Sequence, residues 1–424
     1  MLSLGPVRRA LLALAVGGFA IGTGEFIILG LLPNVATDLG VTIPQAGHLV
    51  SAYAIGVVVG APVLTVALVR MPRKTVLIGL MLAFAAGNIG SAVAPSFDWE
   101  LVARFASGLP HGAFFGVGAV AAANMVEYSR RSAAMAVMFT GLTVANIVGV
   151  PLTTLLGQHT SWRLVFGLIA VIGALGAASV AIFVPGGFRH PVDADVPATG
   201  QMLRREFRAF ARPGVWLVLG GVMVGGGGMF ATFSYINPMM THLAGFAPSS
   251  VTLLLVLFGL GMTAGNLIGA RLADRALMPT LYAGFVAQIL VVSVFVFSSH
   301  SKVGAAITIF LYPAAALTTL PALQTRMITL AGGAPNLAAA AIQAAFNVAN
   351  SLGAWLGGVV IAAGLGYDAP NVVAIGLTVI GLGFAVASGL LDRHQRRAGV
   401  ADVDRMAMGD DPAGDEHELA GASA

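Results

Sequence analysis

The chain has 424 residues, 57% of them apolar and 9% charged, with a net charge of +4. Soluble domains carry roughly a quarter of their residues as Asp, Glu, Lys and Arg, so the composition excludes a water-soluble globular protein of this size and points to a bilayer. There is no cysteine, which also excludes thiol catalysis, disulfides and thiolate metal sites.

Stretches long enough to cross a bilayer, which takes about 20 helical residues, are predicted at 9–32, 46–69, 75–94, 100–124, 133–156 and 163–184. They resume at 214–238, 249–272, 279–298, 303–325, 336–364 and 371–391. The first is too long for a cleavable signal peptide and runs into Leu31-Leu32-Pro33 rather than a small-residue cleavage site. The 55 glycines and 20 prolines fit this reading, because small residues let membrane helices approach closely. The expected fold is all-α, with twelve transmembrane helices in two pseudo-symmetric six-helix bundles. The first bundle would span 1–184, a cytoplasmic central loop 185–213, the second bundle 214–392 and a disordered acidic tail 393–424. Within the loop, Arg204-Arg205-Glu206-Phe207-Arg208 reads as a linker, or as an amphipathic helix on the inner leaflet.

Of the 22 basic residues, all but Arg104, Arg163 and Lys302 fall on one side if the N-terminus is cytoplasmic. The positive-inside bias therefore places both termini in the cytoplasm of a multi-pass plasma-membrane or inner-membrane protein. The net charge follows the membrane and does not indicate a nucleic-acid partner. The halves also repeat. A shift of 205 carries Pro33, Gly56, Gly60, Arg70 and Gly79 onto Pro238, Gly261, Gly265, Arg275 and Gly284. Duplicated halves are how alternating-access transporters are built, with substrate near the midplane between them.

Gly22-Thr23-Gly24-Glu25-Phe26, the run Gly60 to Lys74, Arg104 to Gly112 (RFASGLPHG) and Gly141 to Pro151 (GLTVANIVGVP) resemble signatures of the major facilitator superfamily. Within it they are most similar to the twelve-helix drug:proton antiporters, and LPHGAFFGVGA with TVANIVGVP is similar to the subgroup called AraJ-like. The resemblance implies an inner gate in the loop after the second helix. Here Arg70, Arg73 and Lys74 are kept, Val69 replaces the acidic residue, and Asp274-Arg275 occupies the equivalent loop of the second half. Ordinary positive-inside charge explains Arg73 and Lys74 equally well.

Glu25 interrupts an apolar helix, where a carboxylate costs about 3 kcal/mol on insertion scales and is functional by default. It is the leading proton carrier; the alternative is a structural carboxyl hydrogen-bonded between helices. Arg104 should lie in the same outer half and looks like the arginine of the family's fourth-helix motif, implicated in proton coupling; the alternative is snorkelling to the headgroups. Ser107 and His111 share its helix face, and His111 is a second proton candidate or an interhelical hydrogen-bond donor. Gly141, Asn146, Gly149 and Pro151 resemble the antiporter motif, whose proline would bend the fifth helix and seal the cavity. Trp162-Arg163 reads as an interfacial anchor. Gln343, Asn347 and Asn350 form one polar stripe on the eleventh helix. With Phe230, Phe233 and Tyr235, and with Phe26, Met138, Phe139 and Phe346, they are candidates for a central substrate cavity.

No Walker phosphate loop is present and the eight histidines are scattered, so the expectation is a transporter without cofactors, not an enzyme. Its partners would be a small-molecule substrate, protons and the lipid bilayer, and it would function as a monomer. Proton-driven export of small amphipathic molecules, such as a phenicol drug, is the leading reading. Sugar efflux or an uptake permease of the same fold is the alternative.

Overall fold

The computed structural model describes residues 4–68, 71–127, 130–186, 211–331 and 335–407. Twelve helices among them are long and apolar enough to cross a membrane. The first half comprises α1 (Leu4–Leu39), α2 (Ile43–Ala67), α3 (Arg73–Ala92), α4 (Phe97–Asn124), α5 (Arg131–Val144), a π-turn at Ala145–Gly149, α6 (Val150–His159) and α7 (Trp162–Phe183). The second comprises α8 (Pro213–Gly220), a π-turn at Gly221–Gly225, α9 (Gly227–Phe233), α10 (Ile236–His242), α11 (Val251–Arg275), α12 (Leu277–Ser298), α13 (Lys302–Ala331), α14 (Pro335–Ala362) and α15 (Ala369–Ala407). In the fifth and seventh spans the helix is interrupted by a π-turn, so each half has six spans. An even number of crossings brings both termini to one face, hereafter the termini face.

Local chemistry sets several helix starts. Ser96 caps α4 by accepting from the backbone N–H of Trp99 at 3.4 Å, and Ser161 caps α7 by accepting from that of Arg163 at 3.2 Å. Apolar side chains such as Val102, Ile182 and Phe297 remain exposed around the bundle, as lipid-facing positions must. Within each half the spans meet through small residues. Gly56 and Gly60 of α2 lie against the backbone at Phe105 and Leu109 of α4, where any side chain would collide. Gly261 and Gly265 of α11 lie in the same way against Phe310 and Ala314 of α13. Glycines and partners are both displaced by 205, so the sequence repeat is also a packing repeat.

The halves meet at and beyond the midplane, away from the termini. There α2 packs on α14 and α1 on α10, while α11 packs on the first π-turn and α6. Ser51 Oγ donates to the Ser351 carbonyl at 3.0 Å, and Asn237 Nδ2 donates to the Gly30 carbonyl. The termini-side segments α5 and α8 pack within their own halves, and Phe139 of α5 is 40% exposed. The bundle is thus closed on the far face and parted on the termini face.

Three expectations need adjustment. The helix that was to end at 391 continues as α15 to Ala407; the chain from Arg393 to Ala407 contains no proline to stop it. Residues 408–424 lie outside the described residues. Trp162 and Arg163 do more than anchor at an interface. The Trp162 indole donates to Asp38 Oδ2 at 3.0 Å, Arg163 pairs with the same carboxylate, and Arg163 also reaches the Ala94 carbonyl at 2.9 Å. Together they clamp the far-face ends of three spans. Finally, among the described residues a charge pair near the termini face, apart from the expected gate residues, joins Arg326 to Asp392, at 2.9 Å and 3.0 Å, supported by Ser388. Asp274 and Arg275 are exposed and Arg73 is buried with Nη1 unpaired. Lys74 is half-buried, Arg70 lies outside the described residues, and so does the 204–208 run.

Candidate functional site

The titratable side chains of the first half converge between α1, α2, α4 and α7. Arg104 is fully buried and does not snorkel. Its Nη1 donates to the Gly24 carbonyl at 2.7 Å and its Nη2 to the Glu25 carbonyl at 3.3 Å. The guanidinium lies 4.4 Å from the Tyr53 ring centroid and 5.6 Å from that of Phe166, within cation–π range. Glu25 is 5% exposed, and its carboxyl makes no hydrogen bond among the described residues. The arginine thus holds the α1 backbone rather than the Glu25 carboxyl. Ser107 donates to the Arg104 carbonyl at 2.9 Å. His111 Nδ1 is 3.2 Å from the Tyr53 hydroxyl, and its Nε2 is buried without a partner.

Two members of this group were missed in the sequence. Tyr53 was hidden among small apolar residues of α2, and only the packing of α2 on α4 brings it to Arg104 and His111. Glu100 stands one helical turn before Arg104 and reads as an ordinary acidic residue at a helix start. In the structure it is fully buried, with its carboxyl facing the Ser91 hydroxyl of α3.

The same shift of 205 that relates the halves carries Glu25, Tyr53, Glu100, Arg104 and His111 onto Phe230, Phe258, Ala305, Ile309 and Ala316. The charged group is therefore confined to the first half, and its counterpart is apolar and aromatic. There Phe233 lies 4.2 Å from Phe258 and 5.8 Å from Tyr312, and Phe230 meets Phe346 edge-on at 5.1 Å.

The other cavity candidates separate. Phe346 lines a cavity between α9, α12, α13 and α14 together with Met229, Phe285, Gln288 and Leu320. Phe139 is exposed and stacks on Phe115 at 5.2 Å, while Gln343 is half-buried. Met138, Phe230 and Phe233 are buried against their own halves, and Phe26 is buried on α1. Tyr235 belongs to the closure, lying against Gly47 of α2 while its hydroxyl donates to the Ala354 carbonyl at 2.8 Å. Asn347 Nδ2 donates to the Gln343 carbonyl at 3.0 Å, and the side-chain oxygens of Asn347 and Asn350 are buried without partners.

The fifth span slips in register through the π-turn Ala145–Gly149 just before Pro151, at the start of α6. Gly141 and Gly149 press this span onto α1. A side chain at 149 would come within 3.0 Å of the Phe19 ring, and one at 141 within 2.9 Å of the α1 backbone. Asn146 Nδ2 donates to the Leu142 carbonyl at 3.1 Å, and the Asn146 backbone faces Gly259 of the other half. Gly149→Val is therefore expected to overpack α1 by about 1–3 kcal/mol and to impair or uncouple transport at normal expression. Reconstituted flux and proton leak, both unchanged from wild type, would remove the motif from the mechanism.

Two duplicated six-helix bundles, closed on one face and parted on the other around buried charge, define a membrane transporter of the alternating-access class. Residues 14–358 match the family described as Major Facilitator Superfamily, and the chain belongs to that superfamily. It is 41% identical over 377 residues to the inner membrane transport protein YdhP of Escherichia coli (strain K12), covering 89% of this chain and 94% of the relative. It is 37% identical over 395 residues to the transporter AraJ of the same organism (92% and 97%). Identity to the chloramphenicol resistance protein of Streptomyces lividans is 35% over 390 residues (91% and 93%). Among solved structures, a bacterial homologue of the human lysosomal transporter Spinster, inward-facing and unoccupied, superposes with a TM-score of 0.74 at 16% identity, covering 91% and 97% of the two chains.

Proposed function

We propose that this transporter exports small amphipathic molecules by proton antiport, with Glu25 as the proton carrier and Arg104 as the charge that governs it. The observation that carries the reading is the pairing of a buried, unbonded carboxyl with a fully buried arginine in one half only. An intramembrane ionisable group survives its insertion cost where it moves ions or substrate. The apolar and aromatic counterpart in the second half suits an amphipathic substrate better than a polyhydroxylated one, which would need more hydrogen-bonding groups. Similarity to a chloramphenicol resistance protein points the same way, although the alternative of a sugar exporter or uptake permease has support from a relative named as a sugar efflux transporter. The basic residues assign the termini face to the cytoplasm, so the parted state faces inward.

The test is reconstitution in lipid vesicles, with chloramphenicol and a pentose as probes and one cysteine introduced at Ala276 to report orientation to an impermeant thiol reagent. Chloramphenicol flux driven by an imposed proton gradient is expected, with Ala276→Cys labelled only from the face carrying the termini. Flux indifferent to the gradient would overturn antiport. Gradient-driven pentose flux alone would favour the sugar reading.

A further inference from the structure

Glu100 is the one buried carboxyl beside Arg104 that the proposed cycle leaves idle. It sits in the first turn of α4, fully buried, with its carboxyl facing the buried Ser91 hydroxyl of α3. The charged and titratable groups around this spot can be counted. Arg104 interacts electrostatically with Glu100, Tyr53 and Glu25. On α7, Arg163 also reaches Glu100 but is matched by Asp38, and Phe166 presents only a ring. His111 on α4 is buried against the Tyr53 hydroxyl. One unmatched cation therefore faces two carboxyls. With both carboxyls ionised the trio carries a net negative charge in a buried site, and such uncompensated buried charge is costly. With one carboxyl protonated the trio is neutral.

We propose that Glu25 and Glu100 form a two-carboxyl proton site around Arg104 that holds one proton, with Glu100 as the ionised partner of the arginine whenever Glu25 is neutral. Glu100 is thus a positioning residue for the coupling step: it keeps Arg104 compensated while Glu25 is loaded. This deepens the reading of Glu25 as proton carrier and rests on it, but the charge count can be tested without transport.

The experiment is infrared titration of the neutral-carboxyl band in the full chain in lipid vesicles, comparing wild type, E25Q, E100Q, E100D and E25Q/E100Q. At neutral pH the wild type should show the band of one neutral carboxyl. Either single Gln variant should lose it, because the lone remaining carboxyl stays ionised against Arg104. E100D, which keeps the ionisable group, should retain it, and this separates charge from any folding defect of E100Q. If E100Q keeps the band while E25Q loses it, Glu25 alone holds the proton and the proposal fails, although antiport through Glu25 survives. If wild type shows no neutral carboxyl and its spectrum responds to sodium, the site binds a metal cation and the proposal also fails. Normal gradient-driven transport by E25Q, with both single variants lacking the band, would sink the assignment of Glu25 as carrier while leaving the shared proton intact.

Discussion

Glu25→Gln is expected to reduce gradient-driven flux to the level of protein-free vesicles while substrate still binds. The reason is geometric. Arg104 holds the backbone carbonyls of Gly24 and Glu25, not the Glu25 carboxyl, so an amide of the same size leaves that anchorage intact. What disappears is the proton. In an antiporter the neutral and ionised carboxyl must favour different states of the two bundles, and a ligand shifts such an equilibrium only by its differential affinity for the two states. Glutamine presents one state permanently. Binding of chloramphenicol by calorimetry should persist in E25Q while the gradient no longer drives its movement. Wild-type flux in E25Q at matched protein density would remove Glu25 from the coupling step.

Arg104→Ala is expected to be the most destabilising single change in the first half, costing about 3–5 kcal/mol. It removes a cation that faces both buried carboxyls, two hydrogen bonds to the α1 backbone and the cation stacked on Tyr53. Lysine at 104 keeps the charge but not the planar fork that reaches both carbonyls, so it should restore part of the stability and little of the transport. Thermal unfolding in detergent measures the cost. In an E25Q/E100Q background the penalty of Arg104→Ala should shrink, because the interaction lost is then already absent, and a double-mutant cycle reports the difference as coupling. Additive effects would show that Arg104 acts through packing alone.

Much of the architecture was legible without coordinates, because the bilayer enforces it. A helix must satisfy every backbone group internally across the hydrocarbon core, so each span had to appear as a long apolar run, and all twelve did. Loop charge and glycine spacing announced the duplication, and the contacts of Gly56 and Gly261 repeat at the same offset. Glu25 was recognisable for the same reason: a carboxylate in an apolar run has no cheap explanation. What the one-dimensional pattern could not carry was which helix faces which. Tyr53 and Glu100 look ordinary in their own spans and become part of the site only through the seating of α2 and α7 on α4 and α3. The run Gly141 to Pro151 suggested a proline bend, and the structure adds a π-turn before Pro151 with Gly141 and Gly149 both seated against α1. The pair Arg326 and Asp392 was equally unreadable, since its residues lie on α13 and α15, far apart in sequence. The amino-acid sequence by itself determined the spans, their pairing into two halves and the one carboxyl that hydrocarbon does not tolerate without cause. Only the tertiary structure decided which groups gather around Arg104 and that the halves close on the face away from the termini, because such gatherings and closure depend on distances between helices that no spacing along one helix encodes.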